Sequence, residues 1–201
     1  MKILEPRVLD DLQAGRPLKI DLGSGGEGRY GHYGVDLLPL PGVAIQANLN
    51  EPLDALPDNS VGELISSHCM EHVTEFLPLM AEIHRVVRPG GRIEIVVPHF
   101  SDPYSYSDPT HVRFFGLYSF YYFVDTDKQP ARKVPCFYSK ARFEISSIRL
   151  RLRSRSLIKR LMYPRLGLLV NKSIAWQDWW ERRLCWSMPA DEIGYLLTPV
   201  K

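Results

Sequence analysis

Residues 18–36 read LKIDLGSGGEGRYGHYGVD. A short apolar run closes on Asp21 and Leu22, a glycine-dense loop follows at once, and a second strand-like run closes on Asp36. Without a Cβ, glycines at 23, 25 and 26 let the backbone turn sharply and approach a ligand closely. An aspartate at the tip of the next strand can accept hydrogen bonds from both ribose hydroxyls. The loop lacks the Lys-Ser/Thr of a phosphate loop, so it points to a nucleoside rather than to phosphate.

Three further landmarks follow in order: Asn48-Leu49-Asn50, PDNSVGELISSHCMEHV at 57–73, and EIHRVVRPGGRIEIVVP at 82–98. With them, residues 18 to about 100, and more loosely the chain to 201, resemble the class I S-adenosylmethionine-dependent methyltransferases, in particular the small type 11-like group. The resemblance implies an α/β, Rossmann-like fold: a doubly wound, mostly parallel seven-stranded sheet whose last strand is antiparallel and sits beside the fifth. It implies S-adenosylmethionine as cofactor. Asp21, Gly23, Ser24 and Gly25 would then carry its methionine end and Asp36, followed by Leu37, its ribose. Asn48 would accept from adenine's amino group, Leu49 would pack on the ring, and Ser67 and His68 would complete the site after the fourth strand.

A chain of 201 residues suits one domain with a substantial core, with an N-terminal segment at 1–17 and an insertion at 99–141. Twenty-five basic against 23 acidic residues leave no global argument for nucleic acid. Cys69, Cys136 and Cys185 are odd in number and widely spaced, which favours reduced thiols in a cytoplasmic protein. The N-terminus carries acids and lacks a long apolar core, and no stretch approaches the roughly 18 apolar residues of a membrane span.

Strands are predicted at 18–22, 33–37, 43–47, 61–66, 93–97, 143–155 and 193–200, with helices at 71–87 and 172–187. Only about ten residues separate the first two strands, so the helix usual there must shrink to a turn, with Arg29 or Tyr30 covering its place. The run 93–97 reads as a strand covered on both faces, and alternating strands and helices point to a parallel sheet with ligands beyond its carboxyl ends. The aromatic, proline-rich segment after the fifth strand is the expected substrate lid. Trp176, Trp179 and Trp180 share helical spacing and read as one buried face.

Oxygen methylation needs a base, and His68, His99 and His111 all lie near one sheet edge in this reading. His99 is the first choice for catalysis and His111 the second. With Asp102 and Asp108 these histidines are suitable metal donors, but their spacing matches no metal motif, and no metal is expected. Glu71 and His72, at the start of the predicted helix, divide evenly between capping and a site role. After the fourth strand the chain lacks the Asn/Asp-Pro-Pro-Tyr/Phe of amine methylation, which favours a small-molecule or glycan oxygen as acceptor. The segment from Arg149 to Lys172 holds eight basic residues and no acid, compatible with a solvated face, or with an anionic membrane or lipid-linked acceptor. Two rival readings are a nucleic-acid methyltransferase and a non-catalytic cofactor-binding partner.

Overall fold

A computed structural model describes residues 1–152 and 157–201. In chain order its elements are β1 (Lys2–Ile3), α1 (Pro6–Gln13), β2 (Leu18–Leu22), β3 (Tyr33–Asp36), β4 (Val43–Gln46), β5 (Val61–Ser67), α2 (Phe76–Val86), β6 (Val87–Pro98), β7 (Arg142–Leu152), α3 (Leu157–Val170), α4 (Ile174–Arg183) and β8 (Ala190–Val200). The strands form one sheet in the order β1-β4-β3-β2-β5-β6-β8-β7. β4, β3, β2, β5 and β6 are parallel, and β8 is antiparallel, inserted between β6 and β7. This is the mixed α/β sheet expected, with one strand more. The addition is β1, two residues antiparallel to β4, too short to leave a periodic signal. No helix stands between β2 and β3, where a glycine-rich turn replaces it.

β6 alternates where a doubly covered strand was expected. Ile93, Ile95 and Val97 are buried, whereas Arg92, Glu94 and Val96 point the other way. By register, Lys19, Glu63 and Arg92 lie side by side on this second face. Lys19 pairs with Glu63 at 3.2 Å, Arg92 with Glu94 at 2.8 Å, and Arg29 reaches over the strand to Glu94 at 3.9 Å. Arg29 thus partly covers the place of the missing helix; Tyr30 is fully exposed and covers nothing.

The packed face joins Ile20, Leu64, Ile93 and Leu197 across the strands to Leu79, Met80 and Ile83 of α2. α2 starts at Phe76 rather than at 71 because Met70–His72 forms a separate 3-10 turn. The Asn50 side chain caps the new start, its Oδ1 accepting from the Glu75 amide at 2.9 Å and the Thr74 hydroxyl at 2.7 Å. Part of the aromatic insertion belongs to the core, while Tyr104, Tyr106, Phe114, Phe137 and Tyr138 are exposed. Phe115, Phe120 and Phe123 are buried around Phe76, with ring centroids 5.5–5.8 Å from it. Of the tryptophans predicted to share a buried face, only Trp180 is buried; Trp176 and Trp179 are exposed and meet edge to face.

Arg153 and Arg155 lie outside the described residues. The Asn171 side chain, just beyond α3, bonds both the amide and the carbonyl of Leu150 at 2.8 Å, holding the last turn of α3 to the outer strand. Among the described residues no helix is long and apolar enough to cross a membrane. Because Phe76 ties α2 to the insertion, we expect Phe76→Ala to cost about 3–5 kcal/mol in denaturant unfolding.

Candidate active site

The glycine loop is fixed from three directions. Gly23 has φ +70°, and a Cβ there would collide with the Cys69 side chain, so the β2 loop sits directly on the turn after β5. Burial pushes the Cys69 thiol up to about 12, leaving it a packed, protonated group. Asp36 Oδ2 accepts from the Gly25 amide at 2.8 Å and its Oδ1 from the Leu38 amide at 3.0 Å. Asp21 Oδ2 accepts from the Arg29 amide at 2.9 Å, closing the far end of the loop. Both carboxylates therefore hold the loop, and each keeps lone pairs for further donors. Ser24 packs its hydroxyl over Gly34, where a Cβ would come within 2.6 Å.

Asn48 spends its side chain on a local turn, with Oδ1 accepting from the Asn50 amide at 3.1 Å and Nδ2 donating to Glu51 at 3.0 Å. Leu49 packs partly into the core, whereas Leu37 is exposed. Ser67 closes β5 and is exposed; His68 follows in left-handed backbone at φ 52°. The expected cofactor residues thus lie on the turns at the carboxyl ends of β2, β3, β4 and β5.

Beyond the ends of β5 and β6 opens a cleft of about 480 Å³, lined by His68, Pro98, Asp108, His111 and Glu192 among others. His68 lies 3.6 Å from Glu71 and 3.0 Å from Glu192; the Glu71 carboxylate first, and Glu192 with it, raise its pKa. A histidine so held keeps its proton to higher pH, so less of it is in the neutral form that can accept one. His111 differs. Its Nδ1 donates to the Ser105 carbonyl at 2.9 Å, so the lone pair is on Nε2, 3.7 Å from Asp108 and 4.0 Å from Glu71. The Thr110 hydroxyl and amide hold Asp108 below the usual carboxylate range.

His99, the first choice from sequence, is not at the cleft. It is wholly buried; Nδ1 accepts from the Ser101 amide at 3.1 Å and meets the Ser101 hydroxyl at 2.7 Å, and Nε2 donates to Glu181 at 3.1 Å. Phe100 and Trp180 pack on the ring. With both nitrogens committed and no exposed surface, His99 is a structural residue joining β6 to α4. Only two of the three expected histidines share the cleft.

Glu71 and His72, undecided from sequence, stand beside His111 instead. The Val112 amide donates to the Glu71 carbonyl at 2.9 Å, docking the 108–112 turn onto the one after β5. The signal was the spacing His68, Glu71, His72 within one turn.

The comparisons with known proteins bear on this geometry. A family model described as a methyltransferase domain matches residues 33–95, from β3 into β6. The match spans about a third of the chain and makes it similar to the class I methyltransferases. S-adenosylmethionine is the methyl donor of this class of enzyme. Among solved structures, a SAM-dependent methyltransferase from Archaeoglobus fulgidus is 17% identical, with a TM-score of 0.51 over 96% of this chain and 91% of that one. A putative methyltransferase of Haloferax volcanii, in complex with the Trm112 methyltransferase activator, is 12% identical, with a TM-score of 0.53 over 98% and 91%. A 16S rRNA (adenine(1408)-N(1))-methyltransferase from Catenulisporales acidiphilia is 14% identical, with a TM-score of 0.53 over 100% and 96%. At these identities the likeness is one of fold. No curated protein matches the sequence.

We expect His99→Ala to cost about 2–4 kcal/mol of stability, through lost packing and the lost hydrogen bond to Glu181, whose Oε1 keeps the Leu117 amide at 2.7 Å. Calorimetric affinity for S-adenosylhomocysteine should stay unchanged, since no cofactor residue touches His99.

Proposed function

We propose that this enzyme moves the methyl group of S-adenosylmethionine to an oxygen of a small molecule or glycan, with the cofactor on the glycine loop and the acceptor in the neighbouring cleft. The observation carrying this reading is adjacency: Cys69, packed beneath Gly23, directly follows His68, which lines the cleft. Methyl transfer is an in-line displacement at the sulfonium carbon, and holding both partners at near-attack distance supplies much of its acceleration.

The cofactor's methionine end fits against Gly23, Ser24 and Gly25. Its ribose hydroxyls fit Asp36, whose carboxylate already points at the loop. Leu49 and Asn48 stand where adenine would lie, and in this reading Asn48 contacts the base through whichever polar atom its local turn leaves open.

On the acceptor side His111 is the activating residue, its Nε2 lone pair facing the cleft. Acids around the cleft, Asp108 and Glu192 among them, suit an acceptor rich in hydroxyl donors. They disfavour a phosphate-rich one. Arg151, which lines the cleft, is paired with Glu192. A nucleic-acid grip finds few free cations there, which sets that alternative below the small-molecule one.

Calorimetric titration with S-adenosylhomocysteine tests the cofactor half. Asp36→Ala removes a charged acceptor of two amides, worth about 1.5–3 kcal/mol each, so we expect affinity to fall by at least about tenfold. Equal affinity in wild type and variant would place the cofactor elsewhere. A screen of hydroxylated metabolites and glycans tests the acceptor half: His111→Asn should bind the cofactor normally and lose turnover by about 10²-fold or more. Turnover on a nucleic acid but on none of these would reverse the choice of acceptor.

A further inference from the structure

Among the described residues Glu71 is a carboxylate buried without a hydrogen bond. Its side chain is 1% exposed, and neither carboxylate oxygen has a hydrogen-bond partner. A buried carboxylate left this way costs several kcal/mol unless a cation neutralises it. His68 Nδ1 faces it as an ion-pair partner at 3.6 Å, beyond hydrogen-bond distance, and His111 Nε2 lies at 4.0 Å. One ligand atom from each of Glu71, His72 and His111 lies within 4.8 Å of the others.

Hydrogen bonding around the two imidazoles leaves the same nitrogen free on each. On His111, Nδ1 donates to the Ser105 carbonyl at 2.9 Å. On His72, Nδ1 lies 2.9 Å from Thr110 Oγ1, whose hydroxyl donates to Asp108 Oδ1 at 2.5 Å. That oxygen must then accept from His72, so Nδ1 carries the proton. Both lone pairs are on Nε2, and the ring centroids lie 4.8 Å apart at 72°. Donation of the second ring N–H to a carbonyl or to a carboxylate-linked hydroxyl is how proteins orient metal-binding histidines.

We propose that Glu71, His72 and His111 bind a divalent first-row transition metal ion at the edge of the cleft. Two imidazoles and one carboxylate suit Mn²⁺, Co²⁺ or Zn²⁺ rather than Mg²⁺ or Ca²⁺, which prefer all-oxygen shells. Ligands about 2.1 Å from one ion stand roughly 3–4 Å apart, so binding draws the three groups in by small side-chain rotations. Three protein ligands leave coordination positions open. His111 lines the cleft, so an acceptor hydroxyl can take one of them. Its proton would pass to water in the cleft, and the oxygen would bond the methyl carbon as the carbon–sulfur bond of S-adenosylmethionine breaks, leaving neutral S-adenosylhomocysteine. This second step rests on the O-methyltransferase reading above and makes His111 act through the ion rather than as a free base; the binding site does not depend on it.

The test titrates the full chain, stripped with chelator, with Mn²⁺, Co²⁺ or Zn²⁺ alone. We expect one equivalent to bind, with affinity falling more than about tenfold in Glu71→Gln and in His111→Asn. His84→Asn, far from the cluster, should leave it unchanged. Thermal melts and S-adenosylhomocysteine titrations on the same samples report whether each variant is folded. Pulsed electron paramagnetic resonance of wild-type protein with Mn²⁺ should show coupling to imidazole nitrogen. Wild-type affinity no tighter than that of Glu71→Gln, or a Mn²⁺ signal without nitrogen coupling, would overturn the site. Loss of cofactor binding alone would instead count against the cofactor site and leave this one standing.

Discussion

The active-site end of this fold depends on one steric fact: Gly23 has no side chain. Because of that, the loop after β2 lies directly on Cys69, and the turns ending two adjacent parallel strands become one surface. The loop is then stiffened by carboxylates rather than by a helix, with Asp36 holding Gly25 and Asp21 holding Arg29. Backbone amides that a helix would have satisfied internally find side-chain acceptors instead. The same anchoring aims Asp36 at the loop.

Losing that helix also changes the sheet. Its second face is a lattice of Lys19, Glu63, Arg92 and Glu94 in lateral register rather than an apolar layer. Burial of apolar area is therefore concentrated on one face, and the aromatic insertion supplies much of what packs there. Phe115, Phe120 and Phe123 close around Phe76, so a segment that resembles a mobile lid in sequence is tied into the core. Its 108–112 turn is held against the turn after β5 through the Glu71 carbonyl. That docking places His111, His72 and Glu71 together, and burial then makes the Glu71 carboxylate a demanding neighbour.

Local chemistry was well written in the sequence. The glycine loop, the closing aspartates, the order of the parallel strands and the shortened first crossover all follow from residues a few positions apart. The errors arose where a side chain's setting is decided by distant chain. His99 and His111 read alike, yet Trp180 and Glu181 come from α4 to bury one, while the other lines the cleft. The tryptophans share a helical stripe, but α4 offers only part of that stripe to the core.

The sequence by itself determined the α/β architecture and the glycine turn after β2, because turn chemistry and strand periodicity act over short stretches of backbone. Tertiary structure alone decided which histidine reaches the cleft and which acid is left buried without a hydrogen bond. Those outcomes depend on desolvation and on contacts between residues tens of positions apart, and no local spacing encodes them.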